Sequence, residues 1–470
     1  MTVTTQAPAP PSAWPAVPAA VQPPAPAPVR RRRGVPGRVR VLTGVTAAAL
    51  ALLFAAIAAG IATAGDGLRV IGHDAGPQVV ATAGLYFGLS DMDAQIADVL
   101  VMGGADTARR EAAIARYERQ RSTANQALLK AFELAGDDPA ERRTIESVLD
   151  ELGRYERLAA RALLLDDQSA HPPGPPPATV VAAYRQATDL MRQVLLPQAY
   201  NLTLESGTIV RRTYDDKTAV LPLLRWAVLL AGLLALFCLL RLQVYLARRF
   251  RRVFGPALLT ATAVTIVAMV AGVTVLKGDL DHLRTAKIDG FDSIVTLAKA
   301  RAIGNSMQGD QSRFLLDKVR ADTYEHTYLD KSQSVLYVEA GNLDTYQAKL
   351  GPDSGPYLGM LGLRFSGRSG QPALEAYIRF QEADEKFRDL VAARATGEAV
   401  AARLGPVREA FDAYDKELVA LADRHQATFE RAVGEGENAL DDLWRLLPFA
   451  IGGIGVLLLA GVWPRLKEYR

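Results

Sequence analysis

Apolar positions fall into two patterns along this chain. One is continuous: the runs Val41 to Ala64, Val220 to Leu240, Val253 to Leu276 and Leu446 to Trp463 carry no charge apart from Arg225. At 1.5 Å of rise per residue, roughly 20 residues cross the hydrocarbon core of a bilayer. Each run therefore predicts a transmembrane helix. Arg225 sits a few residues inside the second run, where its side chain can snorkel to the headgroups.

The other pattern is periodic and fills the two long segments between the runs. Ile145, Val148, Leu152, Tyr155, Ala159 and Ala162 alternate steps of three and four, as do Val180, Tyr184, Ala187, Met191 and Val194. Such spacing puts all of them on one face of a helix. Gly103-Gly104, Asp137-Asp138-Pro139 and HPPGPPP at 171–177 break the first segment into four helix-sized pieces, which predicts a four-helix bundle whose last helix bends near Pro197. In the second segment, Ile288, Phe291, Val295, Ala298 and Ala302 keep helical spacing, as do Val407, Phe411, Tyr414, Leu418, Leu421, His425 and Thr428. Residues 319–372 read as short helices and loops, with a strand around 334–338 left open.

The predicted fold class is an all-α membrane protein with four transmembrane helices and two extracytoplasmic helical bundles in tandem. Its parts are a Pro/Ala-rich tail (1–40), span 1 (41–64), a bundle (65–219), span 2 (220–240), a basic link (241–252), span 3 (253–276), a second helical domain (277–445), span 4 (446–463) and a short tail (464–470). Residues 7–29 alternate proline and alanine without charge, which predicts solvated extended chain acting as a spacer or a docking site. The first run also has the basic flank and small-x-small ending of a signal peptide, but it exceeds the usual length of such a core.

Charge supplies the orientation. Residues 1–40 hold six arginines and no acid, and 241–253 hold five arginines. The long segments are acidic: 17 basic against 22 acidic residues in 65–219, and 22 against 28 in 277–445. Basic short segments stay inside, so both termini are expected in the cytoplasm of a multi-pass cell-membrane protein. Arg248, Arg249, Arg251 and Arg252 form a cytoplasmic basic face suited to anionic lipid or a docked partner. No nucleic-acid partner is expected. A homodimer is compatible with the pattern.

Candidate chemistry is sparse. The single cysteine, Cys238, lies in a span, the five histidines have no ligand spacing, and no phosphate loop, HExxH or GxSxG occurs, so neither catalysis nor a metal or other cofactor is expected. The link and tail leave no room for a cytoplasmic enzyme domain, and the spans hold almost no midplane polar groups apart from Thr260, Thr262 and Thr265, which leaves a transporter or channel as the lesser alternative. One stripe is anomalous: Thr82, Tyr86, Leu89, Asp93, Ile96 and Leu100 share a helix face, which sets a carboxylate in an apolar seam. Counting from the start of span 3 brings Asn305 to a matching height in the second half. A lone polar seam residue commonly fixes register. The other reading is a ligand or partner site of Tyr86, Ser90, Asp91, Asp93 and Asn305; in either case Arg109 or Arg110 is the expected partner of Asp93.

The run LYFGLSDMDAQIADVLVMGG at 85–104, following a span, resembles the four-helix-bundle sensor domains of bacterial chemoreceptors and, more closely, actinobacterial four-span proteins of the GlnX type. The tandem plan, the small basic cytoplasmic parts and the ending VWPRLKEYR are similar to that family too. Met92 and Gln95 depart from it. The resemblance implies a relay in which an extracytoplasmic solute-binding lipoprotein of the GlnH kind engages the bundles and a soluble serine/threonine protein kinase reads the state inside. A membrane scaffold without a ligand is the alternative.

Overall fold

Long runs of Ala, Leu, Val, Glu and Arg favour helix, and the computed structural model is helical even through interior glycines such as Gly60, Gly65 and Gly67 of the first helix and through Pro222 and Pro448. It describes residues 35–104, 106–135, 139–250, 255–351, 357–365 and 367–467. The Pro/Ala-rich segment at 7–29, Arg251 and Arg252, and the side chain of Arg249 lie outside the described residues.

The first half consists of α1 (Val35–Arg69), α2 (Ala75–Met102), α3 (Thr107–Leu134), α4 (Pro139–Asp167), α5 (Ala178–Leu190) and α6 (Leu196–Phe250). The second consists of α7 (Pro256–Arg284), α8 (Asp292–Leu316), α9 (Ala321–Val335), α10 (Leu343–Ala348), α11 (Gly359–Phe365), α12 (Gln371–Ala392), α13 (Thr396–Leu404) and α14 (Pro406–Lys467). No strand occurs among the described residues. Residues 334–338 end α9 and contribute only one isolated antiparallel bridge, Tyr337 to Leu358.

The predicted breaks have local causes. Gly103 takes a positive φ of 57°, which closes α2, and the Asp106 carboxylate accepts the Arg109 backbone N–H to cap α3. Near Pro197, where a bend is expected, the helix runs on through a π turn at Met191–Leu195. There the Leu196 N–H bonds to the Met191 carbonyl, and Pro197, which has no N–H to place in the ladder, follows directly.

Among the described residues, four helices are long and apolar enough to cross a membrane: those containing 37–102, 178–248, 256–316 and 396–464. The chain is thus an all-α multi-pass membrane protein. The four spans pack on one another as a second core. Gly60 admits Leu276 so closely that a Cβ would fall 2.8 Å from its side chain. Gly452, Gly453 and Gly455, expected to serve the same end, meet no neighbour within 4 Å; Gly232 and Gly461 make the close approaches instead, against Met269 and Leu258.

Two rods leave the membrane side by side. The helix of α1 continues into α2 through a π turn at Val70–Asp74, and that of α7 continues into α8 through another at Thr285–Phe291. The extra residue is absorbed within helical backbone at each turn, so the rods stay unbroken. Both turns rest on α14, where a Cβ on Gly72 would lie 2.7 Å from Val433 and one on Gly290 would lie 2.9 Å from the Phe429 Cα. Beyond the turns, α2 and α8 run parallel through the centre of one shared outer core, which takes in residues of both halves from Leu85 to Leu421.

Candidate functional site

The carboxylate in the apolar seam is explained by the absence of any other face. Every residue of α2 from Gly88 to Met102 is buried, and so is every residue of α8 from Gly304 to Arg313. With α3, α6 and α8 around it, α2 has no side left for solvent. An unpaired charge there would be prohibitive, and each of its three carboxylates has a cation.

Asp93 holds the centre. It accepts hydrogen bonds from the hydroxyls of Thr188 (2.8 Å) and Tyr155 (3.2 Å), and Arg313 Nη2 donates to it at 2.5 Å. Tyr184 stands at 3.5 Å from the same carboxylate and accepts from Arg313 Nε at 3.2 Å. Arg313 Nη1 reaches Asp310 at 2.5 Å, and Lys331 on α9 bonds to the other oxygen of Asp310 and to Ser306 Oγ at 2.7 Å. The expected partners Arg109 and Arg110 are elsewhere: Arg109 pairs with Asp106, and Arg110 crosses to Asp166 and Asp167. A buried cation from the second half is geometrically available to Asp93, whereas the arginines after the Gly103-Gly104 turn are a full helical excursion away.

Asp98 repeats the arrangement one and a half turns further out, accepting from Arg403 (2.9 Å), Arg408 (3.0 Å) and Ser312 (2.5 Å). Asp91 faces the first bundle, where Arg116 Nε donates at 2.9 Å and Gln95 at 2.8 Å. Two of the three acids of α2 are therefore bound by the second half of the chain.

This network shifts ionisation in ways that geometry accounts for. Burial pushes the Asp310 carboxyl up, but Lys331 and Arg313 more than offset it and hold it below its ordinary value. Burial also opposes the charge of Lys331, which drops from 10.5 to about 8 despite Asp310 beside it. For Arg313 the desolvation is outweighed by Tyr184, Asp93 and Asp310, and its pKa rises well above the usual one.

Among the residues singled out from the sequence, Asp91 and Asp93 are saturated by partners and shut away from solvent. Ser90 and Asn305 are buried with their side-chain polar atoms unpartnered. Tyr86 lines a cavity of about 360 Å³ with Arg192, Leu196, Pro197, Tyr200, Ser306 and Lys331. Of the basic face, Arg248 lies in the last turn of α6 and lines a cleft with Leu42, Arg241, Val244 and Tyr245. His425 on α14 is half-buried against the Phe365 ring, its Nδ1 2.6 Å from the Asp289 carbonyl.

Sequence reading missed Arg313, Asp310, Lys331, Arg192 and Arg403. A signal for the first two was present: NSMQGDQSR at 305–313 is a helix without an apolar face, like SDMDAQIAD at 90–98. Two such stretches at equivalent heights are what two mutually buried polar helices look like.

A family model described as an actinobacterial sensor domain matches residues 67–215. No curated protein and no solved structure matches the chain. The sensor-domain match together with four candidate membrane helices fits a membrane sensor protein, and among the described residues no group of acids, histidines or cysteines is placed to hold a metal ion.

Proposed function

We propose that the chain is a transmembrane signal relay of the GlnX type. In this reading the α2–α8 body lies outside the cell, both termini lie in the cytoplasm, a solute-binding lipoprotein docks on the outer body, and a serine/threonine protein kinase reads the inner ends. The observation that carries it is the direct joining of two continuous rods by Asp93 and Arg313, well out from the spans that each rod enters. A load on either half is then felt by both. The sensor-domain match over the first half supports the direction of the reading, and the basic short ends against acidic long segments support the orientation.

The two π turns sit at the same place on the two rods, between spans and outer body, and both contact α14. A π turn holds one more residue than the ladder requires, so it can migrate and rotate the helix beyond it. Docking outside shifts the balance between two such packings only as far as it binds one better than the other. Rotation of α1 and α7 against α6 and α14 follows, and the inner ends change their spacing. No catalytic residue takes part.

The test is partner capture. With a photo-crosslinking residue in place of Val319, which is 85% exposed on the outer body, a solute-binding lipoprotein should be recovered from native membrane. With the crosslinker at Arg248, a protein kinase should be recovered. Recovery of neither would make the protein a scaffold and end the proposal.

A further inference from the structure

The cavity that Tyr86 lines lies where the two halves meet, and its walls have a definite chemistry. Tyr86 comes from α2, Arg192 from the π turn before α6, Leu196, Pro197 and Tyr200 from α6, Ser306 from α8 and Lys331 from α9. The Tyr86 and Tyr200 rings stand 6.2 Å apart and tilted by 58°, and Leu196 and Pro197 complete an apolar wall. Opposite this wall are two cations. Among the described residues, no carboxylate lines the cavity.

The charges behind the cations do not balance. Asp93 and Asp310 supply two negative charges, while Arg313 and Lys331 meet both by direct contact. Arg192 is close enough for its charge to act on both Asp310 and Lys331. It has no carboxylate partner among the described residues; its guanidinium bonds weakly to Thr327 Oγ1 at 3.4 Å and lies 5.5 Å from the centre of the Tyr324 ring. The five-charge cluster therefore carries one surplus positive charge, and the surplus faces the cavity. Lys299 adds a further cation over the outer face of the Tyr200 ring, at 5.0 Å.

We infer that this cleft binds a small organic monoanion, a carboxylate with an apolar or aromatic body, its charge on Arg192 and its body between Tyr86 and Tyr200. A volume of about 360 Å³ is at the small end of ligand sites, which begin near roughly 300 Å³. A planar guanidinium accepts a carboxylate in two parallel hydrogen bonds, and such charge-assisted pairs are the strong ones. A zwitterion is disfavoured, because Asp93 and Asp310 are already engaged and no free carboxylate is left for an ammonium group. Because the walls come from both halves, an occupant would bridge α2 and α6 to α8 and α9. The inference thus deepens the relay reading and rests on it for its meaning, though not for its chemistry.

Calorimetric titration of the full chain in lipid nanodiscs with phenylacetate tests it, with phenylacetamide as the uncharged probe. Saturable binding of phenylacetate is expected, with the amide weaker by at least about tenfold. Arg192→Gln, which leaves the pairs of Asp310 intact, should weaken phenylacetate by a similar factor at an unchanged melting temperature, and Arg192→Lys should recover part of it. No saturable heat up to about 10 mM, equal binding of acid and amide, or an unaffected Arg192→Gln protein would each overturn the proposal. A failure here leaves the partner-capture result standing, and a failed capture leaves the titration standing, so the two can be told apart.

Discussion

Asp93 and Arg313 are 220 residues apart in the chain and 2.5 Å apart in the fold, with side chains 1% and 2% exposed. This contact makes one object of what the sequence presents as two bundles. A buried pair of this kind returns little net stability, since desolvation consumes most of the attraction, but removing one partner strands a charge. Its value is in specifying which packing of α2 against α8 is allowed.

Arg313 serves Asp93 and Asp310 together, whereas Asp93 retains three hydroxyl neighbours without it. Arg313→Met should therefore destabilise more than Asp93→Asn, at or above the 3–5 kcal/mol typical of a broken buried pair. Thermal unfolding in detergent gives the order directly. The reverse order would mean that Asp93, not the arginine, organises the site.

Close helix approach in the membrane is confined to particular glycines. Gly60→Ile should cost about 1–3 kcal/mol by overpacking against Leu276. Gly453→Ile meets open space and should be neutral within about 0.5 kcal/mol. Melting temperatures of the two variants in the same detergent decide it. Equal effects would show that the spans do not pack as described.

Lys331 gives a pH signature with a fixed sign. It is faced by Asp310, Arg313 and Ser306 from α8 and by Arg192 across the cavity, and its folded pKa is about 8 against 10.5 for the free group. Between those values the unfolded chain holds a proton that the folded chain has lost, so this group stabilises the fold as pH rises through the window. The wild type should gain on Lys331→Met in melting temperature from pH 8 to 10. Phenylacetate affinity should fall over the same interval as a cation leaves the cleft. A flat difference between the two proteins would show that Lys331 does not titrate there.

The proposed orientation is open to labelling. In a Cys238→Ser background, Gly341→Cys should react with a membrane-impermeant maleimide in intact cells, and Arg248→Cys only after the membrane is opened. Labelling of Arg248→Cys from outside would invert the topology and remove the basis for an inner kinase.

Much of the architecture was legible because it follows from local rules. Runs of about 20 apolar residues and steps of three and four need no partner to be recognised, and breakers such as Gly103 end helices wherever they stand. The site was less legible. The stripe through Tyr86 and Asp93 drew attention to the right helix, yet a helical stripe implies one buried face, and α2 is buried on all sides from Gly88 to Met102. Asp91 and Asp93 consequently turned out to be held shut by partners, and Tyr86 lines a cavity.

By itself, then, the sequence determined the helices, the four spans and the placement of Asp91, Asp93 and Asp98 on one helix with Asp93 in its apolar seam, since hydrophobic length and periodicity act within a few turns of chain. Only the tertiary structure decided which cations those acids meet, because an ion pair depends on distance in space, and Arg313, Arg403 and Arg408 come from the other half. The surplus charge of Arg192 beside the cavity follows from the same cause. It becomes visible only when every other charge in the cluster has been assigned its partner.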